Sequence, residues 1–571
     1  MIKDQLAQTI REALLKAKQD GVLALDAIPE IGLEKPKGKS HGDWATSVAL
    51  GLASSLKMSP LEVAEAIVAR LDVGGSLITD VEIAGPGFIN LTLQPGWLYE
   101  ILNQVEQQDT RFGTSEVGCG KRVLLEFVSA NPNGPITVAH GRNAAIGDAV
   151  YALLTAVGFR VEREHYVNDA LNSTQMNNFG KSVFVRYKQV ISGTHDPAVE
   201  EYEWLYRGDY VLDIAKAIAS EHGTKFAAAD IDDPATAQTF RQLAQEGMQA
   251  EQQSDLEAFG VSFDSWYNES TLHSDGRVKS AINELTSRGH TYEKEGALWF
   301  KTTEYGDDKD RVLLRANGTA TYLAGDVAYH KDKFERGYDR LIDVWGADHA
   351  GYVARAKASA AAMGYDPAKL DILLYQLVRI MKNGEFVKSS KRKGDVLYLK
   401  ADLIDEIGKD AARFFFLMRS PNTDLDIDLD LAKKTEKDNP VYYVQYAHAR
   451  IVQTLDKAKS IDGTEMTVML PADVSLLEQD AEIDLIKKLS DFPDEVALAA
   501  ADYAPQRVAQ YARDLASQFH AFYDLGNRNS ELRVVCENPD VRRARVGLVN
   551  ATRIVLRNAL HLLGVSAPDR M

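Results

Sequence analysis

KRVLLEFVSANPNGPITVAHGRNAAIGDAVYALLTAVGFRVEREHYVND, residues 121–169, reads as strand, loop, helix, strand. Val123–Val128 is a short apolar, partly β-branched run, and Ser129-Ala130-Asn131-Pro132-Asn133-Gly134-Pro135 punctuates its end. From His140 onward Ala145, Ile146, Ala149, Val150, Leu153, Leu154 and Val157 recur at helical spacing, and Gly158 supplies a C-terminal stop. Arg160–Val167 is the second strand. A βαβ unit puts loop backbone and a helix N-terminus at the carboxyl edge of a parallel sheet, where free N–H groups and the helix dipole favour phosphate. The stretch is a candidate nucleotide site, with a loop that binds nothing as the alternative.

A second element lies far downstream in ILLYQLVRIMKNGEFVKSSKRKGDVLYL, residues 372–399. Asn383-Gly384 has the residues of a tight hairpin turn between two apolar runs. Lys388, Lys391, Arg392 and Lys393 then crowd a short loop containing serine and glycine, a set able to follow the oxygens of a triphosphate. A solvated basic loop is the alternative.

The 571 residues divide into roughly three or four domains at ~150 residues each, and a 45% hydrophobic content suffices for substantial cores. A net charge of -18 argues against an indiscriminate nucleic-acid binder, so any such partner must meet locally basic faces. Cys119 and Cys536 make no disulfide or metal framework, which suits a reducing cytoplasm. The opening MIKDQLAQTIREALLKAKQDG is amphipathic but carries acids and no long apolar centre, unlike a signal peptide. No stretch approaches the ~20 apolar residues of a membrane span.

Along the chain, helices are expected at Ile2–Leu15, Ala45–Leu56 and Pro60–Leu71, and strands at Val81–Ile83 and Phe88–Leu93. A polar, helix-rich stretch over 175–255 suits an insertion in a doubly wound sheet. The pieces ALWFKT, RVLLRA and TATYLAG look strand-like; LIDVW and ILLYQLVRI read as further strands of one sheet. From Ala401 the chain turns helical. Leu548, Val549, Val555, Leu556, Leu560 and Leu563 fit a core face, with Arg542, Arg543, Arg545, Arg553 and Arg557 studding the remainder.

The sequence resembles class I aminoacyl-tRNA synthetases, and within them the bacterial type of the arginyl-tRNA synthetase family. The H-x-G-H signature corresponds to Thr137-Val138-Ala139-His140, and K-M-S-K-S/R to Lys388-Ser389-Ser390-Lys391-Arg392. GDWATSVAL (42–50), GPGFINLTL (85–93), EFVSANPNGP (126–135), VWGADHAGYV (344–353) and DNPVYYVQYAHARI (438–451) carry the arginine-specific likeness, in the family's order. Thr137 and Ala139 depart from the signature's first histidine and glycine. Asn143 and Leu171 stand where glycine is usual, and Ser389 where methionine is.

The resemblance implies an α/β fold: a doubly wound Rossmann-like catalytic domain over 116–435 with an insertion at about 175–335, a small α/β N-terminal tRNA-contacting domain over 1–115, and an all-α anticodon-binding bundle over 436–571. It implies ATP-dependent activation of L-arginine and transfer to tRNA(Arg), with Mg²⁺ accompanying ATP, in a cytoplasmic monomer. His140, Lys388 and Lys391 become the catalytic residues. Thr137, Ala139, Asp348 and His349 join them around ATP, and Asn131, Glu269, Tyr322 and Asp326 take the arginine. Tyr322 and Asp326 are spaced i, i+4, so one helical face presents both. Tyr442, Tyr443, Tyr446 and His448 are candidates for stacking on unpaired bases. The rival readings are a paralogue with another acceptor or reduced activity, and a non-catalytic tRNA-binding protein.

Overall fold

Continuous apolar runs that lose all contact with water on both faces are the mark of a parallel sheet covered on both sides. Val123, Leu124 and Leu125 do so in strand β1 (Arg122–Glu126). The chain continues through helix α1 (Val138–Ala156), strand β2 (Arg160–Val167), strand β3 (Ser265–Asn268), helix α2 (Tyr322–Glu335), strand β4 (Arg340–Gly346) and strand β5 (Leu370–Tyr375). Leu341, Ile342 and Val344 of β4 are buried in the same way. The five strands pair in parallel in the order β5-β4-β1-β2-β3. The order therefore reverses between β1 and β4. α1 is buried nearly all round, which places it inside the domain. At Gly147 a methyl would lie 2.3 Å from Phe127, so glycine is what lets α1 pack so closely.

The computed structural model describes residues 2–36, 41–74, 77–94, 96–170, 173–194, 197–387, 396–462 and 473–571. Its contacts divide it into two compact units, Met1–Gln108 with Glu465–Ser490 and Asn529–Ala551, and Asp109–Thr464 with Asp491–Arg528 and Thr552–Met571. Among the described residues no helix is long and apolar enough to cross a membrane.

In the larger unit α2 is fixed to the sheet by buried ion pairs. Lys333, fully buried, binds Glu126 of β1 and Asp343 of β4, the latter at 2.7 Å. Arg336 pairs with Glu164 of β2 at 2.6 Å, and the Tyr329 hydroxyl donates to the same carboxylate at 2.7 Å. The stretch between β2 and β3 is helical (Thr174–Ser192, Asp209–His222, Pro234–Ala258) around Phe179, Tyr187, Phe240 and Met248. Strand β3, inside the span read as an insertion, nonetheless joins the main sheet.

Three expectations are corrected here. TATYLAG opens helix α2 instead of forming a strand, because Ala324, Val327 and Ala328 bury one helical face. ILLYQLVRI is two strands: Leu370–Tyr375 completes the main sheet, while Val378–Lys382 pairs with Glu385–Phe386 and Leu425–Asp428. The economical single sheet thus becomes several. The Asn383-Gly384 turn is borne out, with φ of 53° and 77° at its two residues.

In the smaller unit Ile78–Ala84 and Phe88–Leu93 form the antiparallel pair around Gly85-Pro86-Gly87, with Trp44–Thr46 alongside. The helix expected at Ala45 starts at Val48. Arg545 does not stud a surface. It is buried, ion-paired to Glu482 at 2.6 Å and donating to the Arg533 carbonyl at 3.0 Å. Of the expected apolar core face, Leu548 and Val549 are buried in this unit, and Val555, Leu556, Leu560 and Leu563 are buried in the larger one.

Candidate active site

Every side chain proposed for ATP or arginine within the described residues follows the carboxyl end of a sheet strand or lies in the first two turns of α2 or at the start of α1. The loop leaving β1 carries Asn131, an exposed residue whose Nδ2 donates to Gln175 Oε1 at 3.5 Å. Gln252 of the insertion holds that loop, donating to the carbonyls of Asn131 at 3.0 Å and Gly134 at 2.7 Å.

The loop leads into α1 through a capping box. Thr137 Oγ1 accepts from the His140 amide at 3.3 Å, and the Thr137 amide donates to His140 Nδ1 at 3.3 Å. With Nδ1 an acceptor, the ring proton sits on Nε2, a donor at a helix N-terminus. Burial pushes the His140 pKa down to about 4, so the ring is neutral. Ala139 is exposed in the first turn.

A second set is acidic. Glu269 directly follows β3 and is 4% exposed; Asp326 is in the second turn of α2. Burial, reinforced by Asp326 and Asp169, raises Glu269 to about 7. Burial, with Glu126 adding to it, raises Asp326 to about 6 against the opposing pull of His330, His349 and Lys333. The α2 backbone approaches closely, since a methyl at Gly325 would stand 3.2 Å from Glu269 Oε1. His273 Nε2 lies 3.7 Å from the same oxygen. Tyr322 opens α2 with its ring 65% exposed. Asp348 and His349, just past β4, are exposed and 3.7 Å apart.

Lys388 and Lys391, like Leu171 and Ser389, lie outside the described residues. The chain on either side of the lysines is described. The Val387 amide donates to the Ile380 carbonyl at 2.8 Å. Downstream, the Val138 amide donates to Leu397 at 2.9 Å and the Leu399 amide to Ile136 at 2.8 Å. The segment leaving the loop is thereby hydrogen-bonded to the segment that enters α1.

Asp169 was not singled out from sequence. It is buried past the end of β2 and accepts from the Ser270 amide and hydroxyl, both at 2.8 Å, from Asn268 Nδ2 at 3.1 Å and from Gln245 Nε2 at 3.0 Å. It fixes the turn that presents Glu269. Its position after a strand of a βαβ unit was the available signal. Among the described residues no three His, Cys, Asp or Glu side chains are grouped to hold a metal.

On the helical bundle Tyr442 stacks on Tyr446 at 5.7 Å, and Tyr446 on His520 at 6.0 Å. Arg450 lies over the Tyr446 ring at 4.6 Å. His448 leaves the stacking set: it is buried, with Nδ1 against the Pro568 carbonyl at 3.0 Å.

A doubly wound sheet with an imidazole at one helix tip is the architecture of a class I aminoacyl-tRNA synthetase, and residues 101–433 match the family of tRNA synthetases class I (R), catalytic domain. Residues 3–93 match the arginyl tRNA synthetase N terminal domain, and 444–571 the DALR anticodon binding domain. The chain is 46% identical over 570 residues to an arginine--tRNA ligase of Syntrophotalea carbinolica, covering 100% of both. It is 44% identical to that of Desulforamulus reducens, covering 100% of this chain and 99% of the relative. The fold also matches Thermus thermophilus arginyl-tRNA synthetase, with a TM-score of 0.75, 22% identity and 100% of both chains covered. The chain belongs to the arginyl-tRNA synthetase family.

Proposed function

We propose that this enzyme joins arginine to tRNA(Arg) in two steps. An arginine carboxylate oxygen attacks the α-phosphorus of ATP, the bond to the bridging oxygen breaks, and pyrophosphate leaves. A ribose hydroxyl of the terminal adenosine then attacks the arginyl carbonyl carbon. An ester forms, AMP leaves, and the hydroxyl proton is lost. The protein's part in the first step is to position reactants and offset charge.

The observation that carries the reading is the acid pair. Glu269 feels the charge of Asp326, both have pKa values raised chiefly by burial, and among the described residues neither forms an ion pair with a lysine or arginine. A guanidinium supplies the cation and meets both carboxylates through its fork of N–H donors. Asn131 takes the α-amino end, and the Tyr322 ring walls the side chain. His140 Nε2–H donates to phosphate oxygen, with Lys388 and Lys391 as the opposing cations. Asp348 and His349 suit a ribose or base edge at the β4 exit. Mg²⁺ arrives with the ATP phosphates; with no protein cage among the described residues, no step is assigned to it.

The 1–115 module and the 436–571 bundle would bind tRNA, the latter through Tyr442, Tyr446 and Arg450, with the chemistry carried by the 116–435 domain. We read the enzyme as a cytoplasmic monomer. The test is arginine-dependent ATP–pyrophosphate exchange with and without tRNA, followed by tRNA acylation. Arginine and no other amino acid should support both. Exchange without acylation, or acylation with lysine, would sink the proposal.

A further inference from the structure

Between β1 and β4, where the strand order reverses, one side chain spans the gap. Asn143 lies one turn after His140 on α1 and is 3% exposed. Its Oδ1 accepts from the Val128 amide beyond β1 at 2.8 Å, and its Nδ2 donates to the Val344 carbonyl on β4 at 2.9 Å. One amide thus ties together two strand ends and the helix that carries the signature.

The turn it holds is strained. Val128 has φ 72° and Ser129 φ 43°, a region that β-branched residues rarely enter. Ser129 Oγ donates to Glu126 Oε1 at 2.8 Å, and Gln252 clamps the chain two residues further on. Remove the Asn143 amide and two buried backbone groups lose their partners, while the turn is freed to relax toward negative φ. Asn131 sits three residues past Val128.

We propose that Asn143 is a positioning residue: it holds the Val128–Ser129 turn against the β4 exit and so aims Asn131 at the amino end of arginine. This rests on the reading of Asn131 given above. The test is tRNA acylation kinetics of the full-length enzyme carrying Asn143→Ala, with Asn131→Ala measured beside it and thermal melting of both. The expected result is a KM for arginine raised roughly ten- to a hundredfold, with a smaller change in KM for ATP. A merely structural asparagine would lower melting temperature and the active fraction, hence kcat, and leave KM for arginine within twofold; that outcome overturns the proposal. If Asn143→Ala does not fold, Asn143→Ser, which keeps a polar group near Val128, is scored by the same split. Should Asn131→Ala raise KM while the folded Asn143 variant does not, the positioning role fails alone. Should Asn131→Ala leave KM unchanged, the reading of Asn131 fails and takes the positioning role with it.

Discussion

Arginine affinity should fall steeply as pH drops from 8 to 6. Guanidinium stays charged throughout, so the titration belongs to the proposed pocket, where burial raises Glu269 to about 7, with Asp326 adding to it, and Asp326 to about 6, with Glu126 adding to it. Binding needs both carboxylates ionised. Treating them as independent, the KM for arginine rises about 20-fold between pH 8 and pH 6, most of it from Glu269. The assay is KM for arginine against pH at saturating ATP and tRNA, with KM for ATP as control. Glu269→Gln should bind more weakly everywhere and lose most of the slope, leaving about a twofold change from Asp326. Stability runs the other way in the empty enzyme. Acids raised in the fold hold protons that the unfolded chain releases near pH 4, so their contribution falls as pH rises from about 4 to about 7. Saturating arginine should flatten that slope in thermal melts. A KM for arginine that is level from pH 8 to 6, or that merely tracks KM for ATP, would refute the cation pocket.

Restoring the family signature with Thr137→His and Ala139→Gly should not speed pyrophosphate exchange, because the change removes the hydroxyl that caps α1 and accepts from the His140 amide; faster exchange would contradict this. Gly325→Ala should stabilise α2 by up to about 1 kcal/mol yet raise KM for arginine several-fold, since its methyl lies 3.2 Å from Glu269 Oε1. Melting and kinetics together read these opposite signs. Lys333→Met should destabilise by about 3 to 5 kcal/mol in urea unfolding, because Glu126 and Asp343 are left buried without their cation.

The βαβ unit was legible because apolar runs and the Pro- and Gly-rich loop agree locally with the final structure. Asn383-Gly384 was legible because positive φ at two consecutive residues leaves few sequences to choose from. What failed was set from afar. ILLYQLVRI changes sheets at Gln376-Leu377, and the carbonyls there are held by Arg142, whose guanidinium also takes those of Ser420 and Thr423. No local period encodes a contact more than 230 residues away in sequence. Arg545 likewise looked like a surface charge because its partner, Glu482, lies in another helix. At the site, Glu269 was found by resemblance alone. Nothing in the spacing of FDSWYNES marks it until β3 places it at the sheet's edge.

The carboxylates around α2 separate into two kinds, and the division is what the proposed arginine pocket rests on. Glu164 and Asp343 are held below the ordinary range by Arg336 and Lys333, so their charge is spent on joining helix to sheet. Glu269 and Asp326 are displaced the other way, and among the described residues neither meets a lysine or arginine at ion-pair distance. Had the fold needed these two only for stability, leaving them without a lysine or arginine partner would be the costly choice. The same helix supplies both arrangements: Lys333 and Arg336 near its end anchor it, and Tyr322 and Asp326 at its start stay open. The anchoring holds α2, and Asp326 with it, on the sheet whose edge carries Glu269, and under the proposed reading a cationic side chain of fixed shape is what the two acids would select.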